Sequence, residues 1–597
     1  MQPTVSSDVA RKALARSRIL FGVLMLVVGI FMTRLFYLQV IRADYYHKVA
    51  LSDQLTHYQI PAARGLIEAH QGNSIVPIVL NQTLYTVYAD PALIKNVDHV
   101  ADTLASVLGG NSATYAQQLR TPNSRYVVIA HKVSEANKLT LLKPKYPGLG
   151  AQAQDYRTYP DGALASQLLG FVDNSSTGRY GIEQALEGTL AGTPGQLKAV
   201  TDINGVPLAA DTGNTLTPPV NGSNVVLTID TGIQEQTEEI LAAGVQNVKA
   251  PSGSAVIIDP NTGAIKAMAN YPAYDPSNYG SVTDSNLFKN AAVATPIEVG
   301  SIMKTLTVSA GLDQGVIQQN TSYYDPASWT VDGYKITNIE QDGGPGQQNL
   351  ATILNLSLNT GATWILMQMG GSAAANKIDQ KGRDAWYDYM VNHYQLGKKT
   401  GIEQGYEASG LIQKPNDNGA GIDLTYANSA FGQAMTATPL QMAGAVASVL
   451  NGGTYYQPHL VDQTIAPNGK VAVNAPKAVV KNVVAPKVAP ELESLMEYVV
   501  KQHALNASNL RFSPDYIVGG KTGTAQIAQP GGGYSKTSFN GTYVGFVGGN
   551  NVQYVIVVFV MQPQLPGYQY AGTAAAQPIF AGLAHMLING GYASPKT

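Results

Sequence analysis

No cysteine occurs in the 597 residues of this chain, which removes disulfides, thiolate nucleophiles and cysteine metal sites together. If exported, the chain must stand on its core alone, and its length allows that. Charge is also scarce, with 13% of residues Asp, Glu, Lys or Arg and a formal net charge of −2. A nucleic-acid partner calls for a basic domain, so nucleic acid is excluded. The nine histidines never fall at zinc-ligand spacing, so no metal site is expected, and no cofactor. There are 60 glycines and 32 prolines, but no dense block of them that reads as a long disordered linker. No repeat appears at solenoid periods. The length exceeds one ordinary core and predicts at least two domains.

What is present begins with an apolar run. From Ile19 to Met32 every residue is apolar or glycine, and after Thr33 and Arg34 the run resumes from Leu35 to Ile41. The first part alone spans about 21 Å as a helix, short of a roughly 30 Å hydrocarbon core. Carried on to Ile41 it crosses, with Arg34 snorkelling outward. No small-x-small cleavage site follows, because Phe36-Tyr-Leu38 occupies that place. Arg11, Lys12, Arg16 and Arg18 precede the run, so the positive-inside rule keeps the N-terminus in the cytoplasm. Residues 1–18 form a tail, 19–41 a single-pass anchor, and the rest lies outside.

Residues 42–222 mix short β-like runs (Ile75–Leu80, Leu84–Ala89, Tyr126–Ala130) with helical stretches at Val97–Leu108, Glu135–Leu142 and from Gly181 to near Gly192. No Ser/His/Asp or paired-carboxylate pattern stands out there, which suits a spacer or docking module. A second regime covers 223–597. Val225–Ile229 reads as a strand, and Asp230 as the N-cap of a helix from Ile233 to Val248. Gly253–Ile258 and Ala264–Ala269 form a hairpin across Asp259-Pro-Asn-Thr-Gly263. Helices are expected from Ser301 to Ala310 and at Leu350–Met369, Ala385–Tyr394, Pro439–Leu450 and Ala574–Leu587. Strands are expected at Tyr516–Gly519, Gly541–Val547 and Tyr554–Met561. The order fits an α+β fold, an antiparallel sheet with helices on both faces.

Three short patterns in this region carry chemistry. Ser301 and Lys304, one turn apart, share a helix face. A serine hydroxyl is a poor nucleophile until a base takes its proton, and a desolvated lysine can do so. No other serine in the chain has Lys at +3, yet S-x-x-K alone also describes an exposed helix start. Ser357-Leu-Asn359 puts two polar residues inside an apolar helical stretch, where burial without partners is costly. Lys521-Thr-Gly-Thr524 is entered from a strand with glycines on either side, against which a substrate backbone can lie. A second Lys-Thr-Gly at Lys399–Gly401 follows a helix C-terminus, where lysine and glycine are ordinary, and is set aside.

S-x-x-K, S-x-N and K-T-G in this order match the penicilloyl-serine enzymes. The chain resembles class B penicillin-binding proteins, monofunctional peptidoglycan D,D-transpeptidases, over nearly its whole length. Carrying the resemblance are Arg34–Val40 at the membrane exit, and Arg64-Gly-Leu-Ile67, Arg157-Thr-Tyr-Pro160, Leu168–Phe171 and Gly181-Ile-Glu183 in a dimerisation-like pedestal (42–222). In the transpeptidase domain (223–597) they are Leu227–Asp230, Gln234, Asn290, Glu298–Ser301, Thr438–Gln441, Asn451–Gly453, Lys521–Gln526, Gly545-Phe546 and Pro578–Phe580. Three places depart from the family. Val299 stands where proline is usual, Ala434 where a glycine is usual, and Ala69-His-Gln71 where Asp-Arg-Asn is favoured.

The resemblance implies a transpeptidase domain with a helical subdomain beside its sheet, and a mechanism. Ser301 attacks the carbonyl between the last two D-alanines of a stem peptide, and Lys304 accepts its proton. Backbone N–H groups of Ser301 and Thr524 form the oxyanion hole. Ser357 relays a proton to the leaving amine, and Asn359 holds Lys304 and the substrate amide. Lys521, Thr522 and Thr524, with Gly523 between them, bind the terminal carboxylate or its β-lactam equivalent. An amine of a neighbouring stem peptide takes the acyl group; a β-lactam acylates the same serine. A SEDS-type glycosyltransferase is the implied membrane partner, with other cell-wall synthesis or division proteins. Other readings are a D,D-carboxypeptidase or β-lactamase-like hydrolase, which shares the motifs but needs neither anchor nor pedestal, and a catalytically weak scaffold that recruits or activates a partner.

Overall fold

The computed structural model describes residues 7–46, 55–200, 215–338, 345–371, 377–416, 421–529, 533–565 and 570–597. The chain divides into two compact units, Met1–Ala62 with Thr193–Asn221, and Ala63–Gly192 with Gly222–Thr597. In the first, a helix over Ser7–Phe36 runs into a wider turn at Tyr37–Ile41. Within it Leu14–Ile41 is 28 residues long and apolar enough to cross a bilayer. The same unit holds an antiparallel sheet of Leu55–Ile60, Gly195–Val200 and Thr215–Thr217.

The larger unit begins with a mixed sheet. Asn224–Asp230 lies between Val461–Ile465, antiparallel to it, and Ile67–Gln71, parallel to it. Ser74–Ala89 is one continuous strand where the sequence suggested two runs. Its polar middle, Asn81–Thr83, marks a change of partner: residues up to Val79 pair with Ile67–Gln71, and Leu80–Ala89 pair with Leu149–Thr158. Pro77, which lacks an N–H, coincides with a register shift opposite Ile67 and Glu68. Beyond that change of partner, helices Val97–Leu108, Ser112–Leu119 and Glu135–Leu142 close a small core around Val87, Val100, Leu104 and Leu119.

Five antiparallel strands make the second sheet, in the order Ile265–Tyr271, Ser252–Ile258, Val552–Met561, Tyr534–Gly548, Ile517–Ala528. Both faces are buried, which explains why Tyr554–Met561 is apolar throughout. Alternate residues sort to two cores. Ala255, Ile257, Ile556 and Val558 pack with helices Thr231–Asn247 and Gln577–Asn589. Val256, Ile258, Val555 and Val557 pack with a helical layer that includes Met303–Asp313 and Pro439–Leu450.

Two helix starts follow from local chemistry. Asp230 accepts from the N–H groups of Gly232 and Ile233 (3.0 and 3.2 Å), and its other oxygen takes Gly72 N–H at 2.8 Å. Thr438 and Gln441 form a reciprocal capping box.

Glu238, on the Thr231–Asn247 helix, accepts from Gln234 and from the backbone of Ala165, both at 2.7 Å. Burial pushes its carboxyl up to about 7 against the pull of those two donors. The folded state therefore holds this proton more tightly than the unfolded chain does. Its contribution is fully present below the unfolded carboxyl range and is lost as pH rises towards 7. Thermal unfolding from pH 4.5 to 7.5 is expected to show a shallower loss of stability in Glu238→Gln than in the parent protein.

Candidate active site

Gly300–Ile302 is a single tight turn that opens the helix Met303–Asp313. Ser301 thus sits at the helix threshold, in the turn and not in the regular helix expected for it. Gly300 has φ +61°, and a Cβ there would lie 2.9 Å from the carbonyl oxygen of Thr524, so glycine is required. The geometry leaves Ser301 half-exposed and buries Lys304 completely.

The spacing brings Lys304 Nζ 2.9 Å from Ser301 Oγ. The same nitrogen meets Ser357 O at 2.5 Å, Ser357 Oγ at 3.1 Å and Asn359 Oδ1 at 2.8 Å. Ser357 is not inside a helix. The expected helix Leu350–Met369 is broken into Leu350–Asn355 and Asn359–Gly370, with Ser357 between them at φ +57°. Serine and asparagine are mediocre helix formers, and the break lets both oxygens of Ser357 face one lysine. Asn359 opens the second helix, and its Nδ2 donates to Thr337 O at 3.1 Å.

Ile517–Ala528 is the last strand of the five-stranded sheet. From it the fully buried Lys521 places Nζ 3.1 Å from Ser357 Oγ and 2.8 Å from Thr522 O. The Ser357 hydroxyl therefore stands between two lysine nitrogens. Burial, and then the field of Lys521, holds the His503 imidazole below its usual range. Thr522 and Thr524 are half-exposed, with buried Gly523 between them. A Cβ on Gly523 would meet Thr542 Oγ1 at 2.2 Å, and one on Gly572 would meet Gly523 O at 2.3 Å. Gly572 N–H donates to Thr524 Oγ1 at 3.0 Å, leaving the hydroxyl proton of Thr524 for another acceptor.

The structure thus gathers Ser301, Lys304, Ser357, Asn359 and Lys521 in one hydrogen-bonded set. Thr522, Gly523 and Thr524 continue the same strand. The other Lys-Thr-Gly lies in a loop. There Thr400 N–H and Oγ1 hold Glu407 at 2.6 Å, and Gly401 N–H reaches it at 3.1 Å. Among the described residues no three His, Cys, Asp or Glu side chains gather as metal ligands do. The supports at Thr337 and Gly572 carry no sequence signal, because they act through backbone groups.

Val299 has φ −83°, within reach of the proline that is usual in the family. Ala434 has φ +56°, a conformation that strains any residue with a Cβ. Ala434→Gly is expected to raise stability by about 0.5–1 kcal/mol, after the greater freedom of glycine in the unfolded chain is discounted. Chemical denaturation of the two proteins checks this.

Residues 253–585 match the penicillin-binding protein transpeptidase domain, and residues 59–227 the penicillin-binding protein dimerisation domain. The chain is 28% identical to stage V sporulation protein D of Bacillus subtilis over 567 residues, 94% of this chain and 84% of that protein. It is 26% identical to peptidoglycan D,D-transpeptidase FtsI of Escherichia coli over 579 residues, 95% and 90% of the two chains. Among solved structures, penicillin-binding protein 2X of Streptococcus thermophilus shares the fold with a TM-score of 0.69 at 23% identity, covering 90% of this chain and 80% of that one. Penicillin-binding protein 3 of Mycobacterium tuberculosis, solved with aztreonam, gives 0.65 at 24% identity, with 90% and 97% covered. With the transpeptidase model matched over more than half its length, this chain belongs to the penicillin-binding protein transpeptidase family.

Proposed function

We propose that this membrane-anchored peptidoglycan D,D-transpeptidase works through an acyl-serine intermediate on Ser301. The observation that carries the reading is the approach of buried Lys304 Nζ to Ser301 Oγ (2.9 Å) and to Ser357 Oγ (3.1 Å). Neutral Lys304 takes the hydroxyl proton as Ser301 Oγ bonds to the carbonyl carbon of the penultimate D-alanine. Backbone N–H groups of Ser301 and Thr524 receive the oxyanion, a role supported by the close approach of Gly300 to the Thr524 carbonyl. The C–N bond breaks as the proton passes through Ser357 to the departing D-alanine amine. The amine of a second stem peptide then attacks the ester, gives up its proton by the reverse route and frees Ser301.

Asn359 holds Lys304 through Oδ1. One hydrogen of Nδ2 is engaged by Thr337 O, which leaves the other for the substrate amide. Lys521, Thr522 and Thr524 bind the terminal carboxylate, and Gly523 between them, where a Cβ would meet Thr542 Oγ1 at 2.2 Å, lets the strand pack closely beneath the substrate. The catalytic domain covers 223–597 and the pedestal 42–222, outside the inner membrane of a bacterium, with residues 1–18 in the cytoplasm. A SEDS-type glycosyltransferase as partner rests on the family resemblance alone.

Labelling of the detergent-solubilised protein with a fluorescent penicillin tests this. A stable adduct whose mass maps to the peptide containing Ser301 is the expected result. Rapid release of hydrolysed drug makes the protein a hydrolase. Folded protein that forms no adduct sinks the enzyme reading and favours the scaffold.

A further inference from the structure

Glu298, three residues before the nucleophile, has no part in the chemistry above, yet its carboxylate is bonded to two distant segments that lead back to the active site. Its Oε1 accepts from the backbone N–H of Ala434 and from the hydroxyl of Tyr534, each at 2.9 Å. The first partner lies 136 residues away in sequence and the second 236. Among the described residues its Oε2 is buried with no hydrogen bond, a cost that an apolar side chain would avoid. Burial holds the carboxyl above its usual range, opposed by those two donors.

Each partner leads back to the reacting serine. Ala434 lies two residues after Gly432, whose carbonyl accepts Gly300 N–H at 2.9 Å, and a Cβ on Gly432 would fall 2.0 Å from Gly300 O. The Gly432–Ala434 segment is therefore fastened to the serine turn at two points, one of them through Glu298. Tyr534 opens the strand Tyr534–Gly548, opposite Ala528 at the end of the strand that carries Thr524. One carboxylate oxygen thus joins the serine turn, the segment behind it and the hairpin of the substrate strand.

We infer that Glu298 is a positioning residue, which ties these three segments together and so sets the spacing between the Ser301 and Thr524 amides. Oxyanion donors act only within a few tenths of an ångström of the ideal distance, and a misplacement of about 1 Å can cost about a hundredfold in rate. Ala434 fits the same account: its N–H must turn towards Glu298, and the backbone adopts φ +56° there.

The inference rests on the acyl-serine reading, and the test separates the two. The full-length protein in detergent is labelled with fluorescent penicillin over time, and the second-order acylation rate is normalised to the end-point labelled fraction. Glu298→Ala, which removes both bonds, is expected to slow acylation about tenfold or more. Tyr534→Phe, which removes one bond and little volume, slows it less. Glu298→Gln keeps the Oε1 acceptor and recovers most of the rate, a rescue that loss of charge or of general stability does not predict. Folded Glu298→Ala or Tyr534→Phe acylating as fast as the parent overturns the inference, as does a Gln variant as slow as the Ala one. Should Glu298→Ala fail to fold, the other two variants decide. An unlabelled parent protein removes the acyl-serine reading instead.

Discussion

Lys304→Arg is expected to leave the protein folded and to slow penicillin acylation by about 10²–10⁴-fold, close to the loss from Lys304→Ala. The comparison isolates what the lysine does. Its nitrogen faces four oxygen atoms: Ser301 Oγ, Ser357 O, Ser357 Oγ and Asn359 Oδ1. If its task were to tie those atoms together, a guanidinium with several donors would replace part of the function. If its task is to take a proton from Ser301, arginine fails, since its side chain stays protonated in proteins. Ala removes both roles and leaves Ser357 O and Asn359 Oδ1 without that donor, so part of its effect is structural. An arginine variant acylating within a few-fold of the parent rejects the base assignment, and time-resolved labelling on gels reads it. Ser357→Ala should fall between these limits, because Lys304 keeps its bond to the Ser357 carbonyl.

The second large effect concerns stability. Glu183→Ala is expected to destabilise the larger unit by about 3–5 kcal/mol, the usual cost of breaking a buried ion pair from one side. The Glu183 side chain is fully buried, with Arg64 at 2.6 Å and Arg157 at 2.8 Å. Arg64 also reaches Glu187 at 2.6 Å, and Arg157 reaches Asn81 at 2.7 Å. Two positive and two negative charges balance, and their remaining bonds run mostly to one another. Removing Glu183 strands the guanidinium of Arg157, whose side chain is 2% exposed, and leaves Arg64 with the half-exposed Glu187. The cluster joins Arg64, the Leu149–Thr158 strand and the Gly181–Ala185 turn, so its loss should be cooperative. A drop in the unfolding midpoint accompanied by unchanged acylation of the folded fraction is the expected pair of readings. A variant as stable as its parent shows that the charges are hydrated or re-paired, which the burial argues against.

Much of this molecule is readable without coordinates, and the reasons differ from place to place. Helices Val97–Leu108, Glu135–Leu142 and Pro439–Leu450 fall where the sequence puts them, because apolar spacing and caps act within a turn or two. The apolar run up to Ile41 depends on length and composition alone. Ser301 and Lys304 meet because a spacing of three is one turn, whether that turn is tight or regular. The single strand Ser74–Ala89 was not legible, since its polar middle looks like a break until Arg157 and Asp155 are seen opposite.

By itself, then, the sequence determined the meeting of Ser301 with Lys304, the order of the three motifs, the long apolar helix and the sandwiched sheet, all of which depend on neighbours close in the chain or on side-chain alternation. Only the tertiary structure decided that the helix around Ser357 breaks, that Asn359 is held by Thr337, that Gly572 supports Thr524, and that Glu298 reaches Ala434 and Tyr534. It also separated Lys521, buried on an edge strand beside Ser357, from the Lys399 copy, whose threonine and glycine hold Glu407 in a loop. Each of these rests on contacts to backbone groups or to residues far along the chain. A backbone N–H or C=O is the same in every residue but proline, so nothing in a list of side chains says which of them will be turned towards a serine.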